Sequence, residues 1–189
     1  ALKRHGKKLL IEDYQADLTV VNELPLTGAN IVTASALFDL ASHEFCDALI
    51  ARIDSRKTAI YAALNYDGTT QWSPVHPLDE TVLAAFNKDQ LRDKGFGPAL
   101  GPGATEYLKT RLENTGYAVQ IADSPWQLSG QQQPLIEALI DGIANAVVQD
   151  YGIDQHALAE WKQFRLHHAA SGNCIIGHWD LLALPTAKP

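Results

Sequence analysis

The turn after a short apolar strand at residues 31–34 is the part of this chain best suited to place a ligand. Residues 29–40 show a strand pattern, a turn of small side chains and the start of a helical pattern. In an open parallel sheet, ligands bind in the crevice outside the carboxyl ends of the strands. Ala34, Ser35 and Ala36 occupy that position. The pattern therefore predicts a ligand site at this turn.

A second group of residues with binding chemistry lies in the segment 69–103, which is rich in Pro, Gly and aromatic residues. A connection of this length is usually a lid or a binding loop. Aromatic walls with a few polar groups are typical of small-molecule pockets. We therefore interpret residues 69–103 as a lid or substrate insertion, with the substrate-binding candidates Trp72, His76, Phe86, Asn87 and Phe96. The aromatic side chains could equally form a small hydrophobic core within the insertion itself.

Several function classes are disfavoured by what the sequence lacks. The seven histidines show no HExxH spacing and the two cysteines lie far apart, so we expect no metal site. No G-x-S-x-G motif is present, which removes the usual esterase interpretation. The formal net charge of -7 argues against a nucleic-acid partner. We expect a cytoplasmic protein with a small-molecule partner and no membrane contact, and the sequence leaves a homodimer open.

Strand and helix patterns alternate along the chain and predict one α/β domain over residues 1–189. Strands are expected at residues 8–14, 31–34, 58–64, 117–122 and 174–184, and helices at residues 43–53, 78–91, 105–114, 134–151 and 154–168. Residues 65–68, Asn-Tyr-Asp-Gly, are a turn signal after the third of these strands. The alternation favours a doubly wound, mostly parallel sheet with right-handed crossovers.

Four segments carry a resemblance to a known family: TASALFDL at 33–40, DKGFGPALGP at 93–102, SPW at 124–126 and GHWDLLA at 177–183. As a set they resemble a bacterial subgroup of the class I S-adenosylmethionine-dependent methyltransferases. The resemblance implies a Rossmann-like sheet of strand order 3-2-1-4-5-7-6, in which the five expected strands are strands three to seven. It also implies that the last strand is antiparallel and lies beside residues 58–64.

The resemblance covers only the latter two-thirds of the family's domain. The family's first strand, its glycine-rich loop and the acidic end of its second strand hold the methionine part and the ribose of the cofactor. These features have no counterpart here, since Gly95-Phe96-Gly97 lies in the insertion and Gly101-Pro102-Gly103 opens a later helix. We therefore expect the N-terminal part of the fold to be missing and residues upstream of Ala1 to exist in the native protein.

The resemblance also implies roles for individual residues. Asp17 and Leu18 match the loop that holds the adenine, although Asp17 could instead cap a turn of its own backbone. Ala34, Ser35 and Ala36 match the loop where small side chains admit cofactor and acceptor.

Two further positions carry the catalytic candidates. Asp39 falls where the family often has a polar residue facing the acceptor, and a carboxylate there could accept a proton; a surface helix Asp is the alternative. His178, near the start of the last strand, is a candidate active-site His or a satisfied core His.

Together these observations predict S-adenosylmethionine-dependent methyl transfer to a small-molecule acceptor. Because methyl transfer from a sulfonium is an in-line displacement, proximity and orientation carry most of the rate and no nucleophilic triad is needed. The alternative is a non-catalytic methyltransferase-like binding or scaffold protein that lacks the cofactor loop. A nucleotide-dependent oxidoreductase on a related sheet is disfavoured by the family segments.

Overall fold

Strands and helices alternate along the part of the chain that the computed structural model describes, residues 2–4, 7–148 and 152–186. The strands are β1 (Leu2–Arg4), β2 (Lys7–Leu9), β3 (Ile31–Ser35), β4 (Ala59–Ser73), β5 (Tyr117–Asp123), β6 (Trp126–Ser129) and β7 (Asn173–Pro185). The helices are α1 (His43–Asp54), α2 (Asp79–Gln90), α3 (Ala104–Asn114), α4 (Gln133–Val147) and α5 (Gln155–His168). The expected helices are confirmed to within two residues, except that residues 149–151 of the fourth lie outside the described residues.

The main sheet has the order β3-β4-β7-β5, with β6 also paired to β7. β3 and β4 are parallel, whereas β7 is antiparallel to both β4 and β5. The expectation that the last strand is antiparallel and lies beside residues 58–64 is therefore confirmed. β3, β4 and β5 run in one direction, but the reversed β7 separates β4 from β5, so β3 and β4 are the one adjacent parallel pair in the described sheet. The fold is a mixed α/β fold.

The strand expected over residues 8–14 is wrong. β2 pairs only with β1, in a separate two-stranded sheet, and residues 10–16 have no regular structure. An apolar run of this length is compatible with several structures, and here no strand of the main sheet pairs with it. Within the described residues, the edge of β3 that faces away from β4 has no strand partner.

The turn expected at residues 65–68 is also wrong, because β4 continues through it to Ser73. Pairing with β7 shifts register at two places, between Ala62 and Asn65 and between Tyr66 and Thr70. The turn-forming residue Asp67 lies within the second register shift, where its Oδ1 accepts hydrogen bonds from Thr69 N and Oγ1, both at 2.7 Å. The long antiparallel partner therefore converts a local turn preference into a β-bulge.

Two hydrophobic cores hold the helices against the sheet. The first joins α1 and α3 to β4 and β7, and the second joins α2, α4 and α5 to β6 and the first half of β7. Ser42 caps α1, since its Oγ accepts from Phe45 N at 3.2 Å, and Ser is among the residues that favour this position. No helix in the described ranges is long and apolar enough to cross a membrane.

Candidate functional site

The two catalytic candidates, Asp39 and His178, line the same cavity of about 200 Å³. Asp39 follows the carboxyl end of β3, and His178 lies in β7 opposite Tyr66 of β4. Helices α2 and α4 close the cavity with Phe86, Gln90, Leu139 and Ile143. Of the substrate-binding candidates, Phe86 is in the lining. The tertiary structure thus brings together three residues that are distant in sequence.

His178 is buried and presents one nitrogen lone pair. Its Nδ1 lies 3.1 Å from the backbone oxygen of Ile176. Because a carbonyl oxygen only accepts hydrogen bonds, Nδ1 carries the proton and Nε2 keeps its lone pair. Burial lowers the pKa of His178, against the opposing effects of the Ile176 contact and the charges of Asp67 and Asp180. The imidazole is therefore neutral near pH 7 and can accept a proton at Nε2.

Asp39 is a buried carboxyl group with unsatisfied hydrogen-bonding capacity. It is 8% exposed, and its Oδ1 has no hydrogen-bond partner among the described residues. Burial raises the pKa of Asp39, although its own backbone N–H acts in the opposite direction. The backbone is fixed because Gly101 N donates to Asp39 O at 2.9 Å. Asp39 lies in a turn before α1 and not on a surface helix.

Aromatic rings surround the imidazole. The ring centroid of Trp126 lies 5.2 Å from that of His178, and the centroid of Tyr66 lies 6.2 Å from it. The Tyr66 hydroxyl donates to Asn87 Oδ1 at 2.9 Å, and Asn87 Nδ2 donates to Gly68 O at 2.8 Å. Asn87, another substrate-binding candidate, thereby orients Tyr66. Burial raises the pKa of Tyr66 to about 12, so the phenol stays protonated.

Asp180 sets the register that places Tyr66 opposite His178. Its carboxylate accepts from Leu64 N at 2.9 Å, from Ser124 Oγ at 2.6 Å and from the Tyr61 hydroxyl. Burial opposes ionisation, but these donors leave the pKa of Asp180 below its usual value. Leu64 has a φ of 54°, in the left-handed region, at the first register shift of β4. Sequence reasoning assigned no role to Asp180, although it lies in the segment GHWDLLA, because its donors come from distant strands.

The remaining substrate-binding candidates lie outside this cavity lining. The ring of Trp72 packs edge-on to Trp161 at 6.4 Å and lies 5.1 Å from the Arg165 guanidinium carbon. His76 Nδ1 accepts from Leu78 N at 3.2 Å, at the start of α2. Both residues therefore belong to the packing around the second core.

Phe96 packs against the first core, where its ring centroid lies 5.1 Å from that of Phe45 of α1. It lines a separate, open cavity of about 480 Å³ together with Thr19, Val20 and Ser42. The segment 69–103 contributes to three places in the structure: its first residues extend β4, its helix α2 closes the Asp39–His178 cavity, and Phe96 packs against the first core.

The cofactor-binding candidates lie in two separate segments of the described chain, Asp17 and Leu18 before the first helix and Ala34, Ser35 and Ala36 at the end of β3. Asp17 Oδ1 accepts from Thr19 N at 2.9 Å and Thr19 Oγ1 at 2.7 Å, which lowers the pKa of Asp17, and Leu18 is 44% exposed. Ala34, Ser35 and Ala36 end β3, and Ala36 N donates to Ala63 O at 3.0 Å. The lining of the cavity beside Phe96 does not include Ala34, Ser35 or Ala36. By themselves, therefore, the described residues do not fit a complete S-adenosylmethionine site.

Neither cysteine has the environment of a nucleophile. Cys46 and Cys174 are free and buried, and burial raises the pKa of each thiol to about 12. Reactive cysteines instead sit in electropositive, partly exposed places. In the described part of the chain, no three His, Cys, Asp or Glu residues group in a way that could hold a metal ion.

Comparison with known proteins found similarity among solved structures. No protein-family model and no curated protein sequence matches the chain. Among solved structures, the chain is similar to phospholethanolamine N-methyltransferase 2 of Haemonchus contortus, in complex with phosphomonomethylethanolamine and S-adenosylhomocysteine. The sequence identity is 13% and the TM-score 0.31, and the match covers 84% of this chain and 34% of that one. The chain thus spans about a third of the length of that structure.

Proposed function

We propose that the chain is the acceptor-binding portion of an S-adenosylmethionine-dependent methyltransferase that acts on a small molecule. The observation that carries this proposal is the strand order β3-β4-β7-β5 with β7 alone reversed. That order equals the 4-5-7-6 portion of the sheet that the sequence resemblance implies. On this proposal the sheet is the later part of a doubly wound, Rossmann-like sheet, whose earlier strands would pair with the free edge of β3.

The position of the cavity supports an acceptor site. Asp39 lies just beyond the carboxyl end of β3, which is the edge where open α/β sheets bind ligands. His178 would accept a proton from the acceptor at Nε2. The rings of Tyr66, Phe86 and Trp126 would exclude water and orient the acceptor. The small side chains at the end of β3 would leave room for the methyl donor beside this cavity.

Two measurements test the proposal. Calorimetry should detect binding of S-adenosylhomocysteine by the complete gene product, and much weaker binding by the chain of 189 residues alone. The weaker binding by the 189-residue chain is expected because each missing hydrogen bond to the cofactor is worth about 1 kcal/mol. Micromolar binding by the 189-residue chain would instead mean that Asp17 and Ser35 form a better cofactor site than their geometry indicates.

The catalytic role of His178 is tested by transfer of a labelled methyl group to a panel of small molecules. His178→Gln should lower the rate by about 10²-fold, as expected for loss of a general base. His167→Gln, at an exposed position on α5, should leave the rate unchanged. A complete gene product that neither binds S-adenosylhomocysteine nor transfers a methyl group would overturn the proposal in favour of the non-catalytic scaffold.

A further inference from the structure

We propose that the cavity between Asp39, His178 and Tyr66 binds a small protonated amine. This inference rests on and deepens the proposed function, because the amine would become the acceptor once the ammonium group has given a proton to His178 Nε2 and regained its nitrogen lone pair, but the binding that it predicts needs no cofactor. It is carried by three properties of the cavity, namely its charge, its hydrogen-bonding groups and its aromatic wall.

The charge of the lining excludes anionic ligands and favours cations. Among the described residues that line the cavity, Asp39 is the one carboxylate and none is Lys or Arg. A bound carboxylate or phosphate would therefore meet a like charge without a counterion, at a site where burial weakens screening. A cation would instead compensate Asp39. Since burial raises the pKa of Asp39, a neighbouring ammonium group would also hold the carboxyl ionised.

Two ionisable side chains of the lining, Asp39 and His178, offer acceptors, whereas Thr70 and Gln90, which also line the cavity, can donate or accept. Asp39 Oδ1 has no partner among the described residues, and His178 Nε2 keeps a lone pair because Nδ1 donates to Ile176 O. The Tyr66 hydroxyl donates its hydrogen to Asn87, and the Thr70 side chain hydrogen-bonds to the Tyr66 oxygen. An ammonium group brings up to three N–H donors, whereas an alcohol brings one. An ammonium group can therefore satisfy both Asp39 and His178, which an alcohol with its single O–H cannot do.

The aromatic wall suits the same ligand. Trp126, Tyr66 and Phe86 all line the cavity, and the faces of such rings attract cations. Ring packing fixes these side chains before a ligand arrives: Tyr66 packs edge-on to Phe86, at 5.8 Å and 70°, and Trp126 packs at a tilt of 44° against His178. Apolar side chains of α4 and β7 complete the wall and would hold the hydrocarbon part of the amine.

The test compares three probes of similar shape by calorimetry on the 189-residue chain at pH 7.5: benzylamine, benzyl alcohol and benzoate. We expect benzylamine to bind at least tenfold more tightly than benzyl alcohol, and benzoate not to bind detectably. Asp39→Asn should weaken benzylamine at least tenfold and change benzyl alcohol less than threefold. Asp123→Asn removes an exposed carboxylate that is not in the cavity lining, and should change neither affinity.

Equal affinities of the wild-type chain for benzylamine and benzyl alcohol would overturn the inference, and this comparison does not depend on any variant folding. A preference for the amine that survives Asp39→Asn would also overturn it. Trp126→Leu should reduce the preference without abolishing it, because the carboxylate remains. Methyl transfer to neutral acceptors with no amine binding would leave the proposed function intact, whereas amine binding without methyl transfer would leave only this inference.

Discussion

Replacing Asp79 by Asn should lower the free energy of unfolding by about 3–5 kcal/mol, because it leaves a buried guanidinium group without its counterion. Arg165 of α5 has a side chain that is 2% exposed, and its Nη2 donates to both oxygens of Asp79 at 2.5 Å. Asn has nearly the same shape as Asp but no charge. The variant therefore isolates the electrostatic part of this contact.

The magnitude follows from how completely Asp79 is engaged. Besides Arg165, its oxygens accept from Trp161 Nε1 and from His76 N, both at 2.8 Å. Arg165 Nη1 donates to Pro74 O at 2.6 Å. The pair thus joins the end of β4, the start of α2 and α5. Loss of the Asp79 charge leaves the Arg165 guanidinium group buried without a counterion or water to replace it. The upper part of the range is therefore expected.

Urea unfolding of the chain, followed by tryptophan fluorescence at pH 7, measures the effect. Asp141→Asn is the matched control: Asp141 pairs with Lys162 at 2.8 Å, but the two side chains are 54% and 35% exposed. Such a pair is worth about 1 kcal/mol or less. The double variant Asp79→Asn/Arg165→Met should lose less than the sum of the two single changes. A loss for Asp79→Asn no larger than for Asp141→Asn would refute the reasoning.

Three further predictions concern His178, the thiols and a glycine. Burial lowers the pKa of His178 below 6.5, so this imidazole binds a proton more readily in the unfolded chain than in the folded chain. The free energy of unfolding should therefore fall as the pH drops below 6.5, and it should fall less in His178→Gln. Urea unfolding between pH 7.5 and 5 measures both effects. Because burial raises the pKa of Cys46 and Cys174 to about 12, an aromatic disulfide reagent at pH 8 should label neither thiol until the chain unfolds; rapid labelling of the native chain would contradict this. Gly177→Ala should cost about 1–3 kcal/mol, since a Cβ there meets Thr69 Oγ1 and the Asp67 carboxylate, whereas Gly103→Ala, with nothing within 4 Å, should change stability little in the same urea assay.

The helices were predictable from the sequence because their signals are local. Ser42 caps α1 and Asp154 caps α5 through hydrogen bonds to backbone N–H groups three residues later. The apolar spacing of α1 buries Phe45, Leu49 and Ile53. The place of the last strand was also predictable, through the resemblance of residues 177–183 to a family whose last strand is reversed.

The extent of β4 and the composition of the cavity were decided only by the tertiary structure. Residues 65–68 have the composition of a turn, yet β4 pairs with β7 both before and after them. This pairing between segments distant in sequence outweighs the local turn preference. Residue type alone could not tell which aromatic residues of segment 69–103 line the cavity and which pack in a core. Phe86 lines the cavity, whereas Trp72 packs against Arg165 and Trp161. The sequence by itself determined which residues could do chemistry, Asp39 and His178 among them. Their meeting in one cavity depends on the register of β4 against β7, which is set by contacts such as Leu64 with Asp180 that no local pattern encodes.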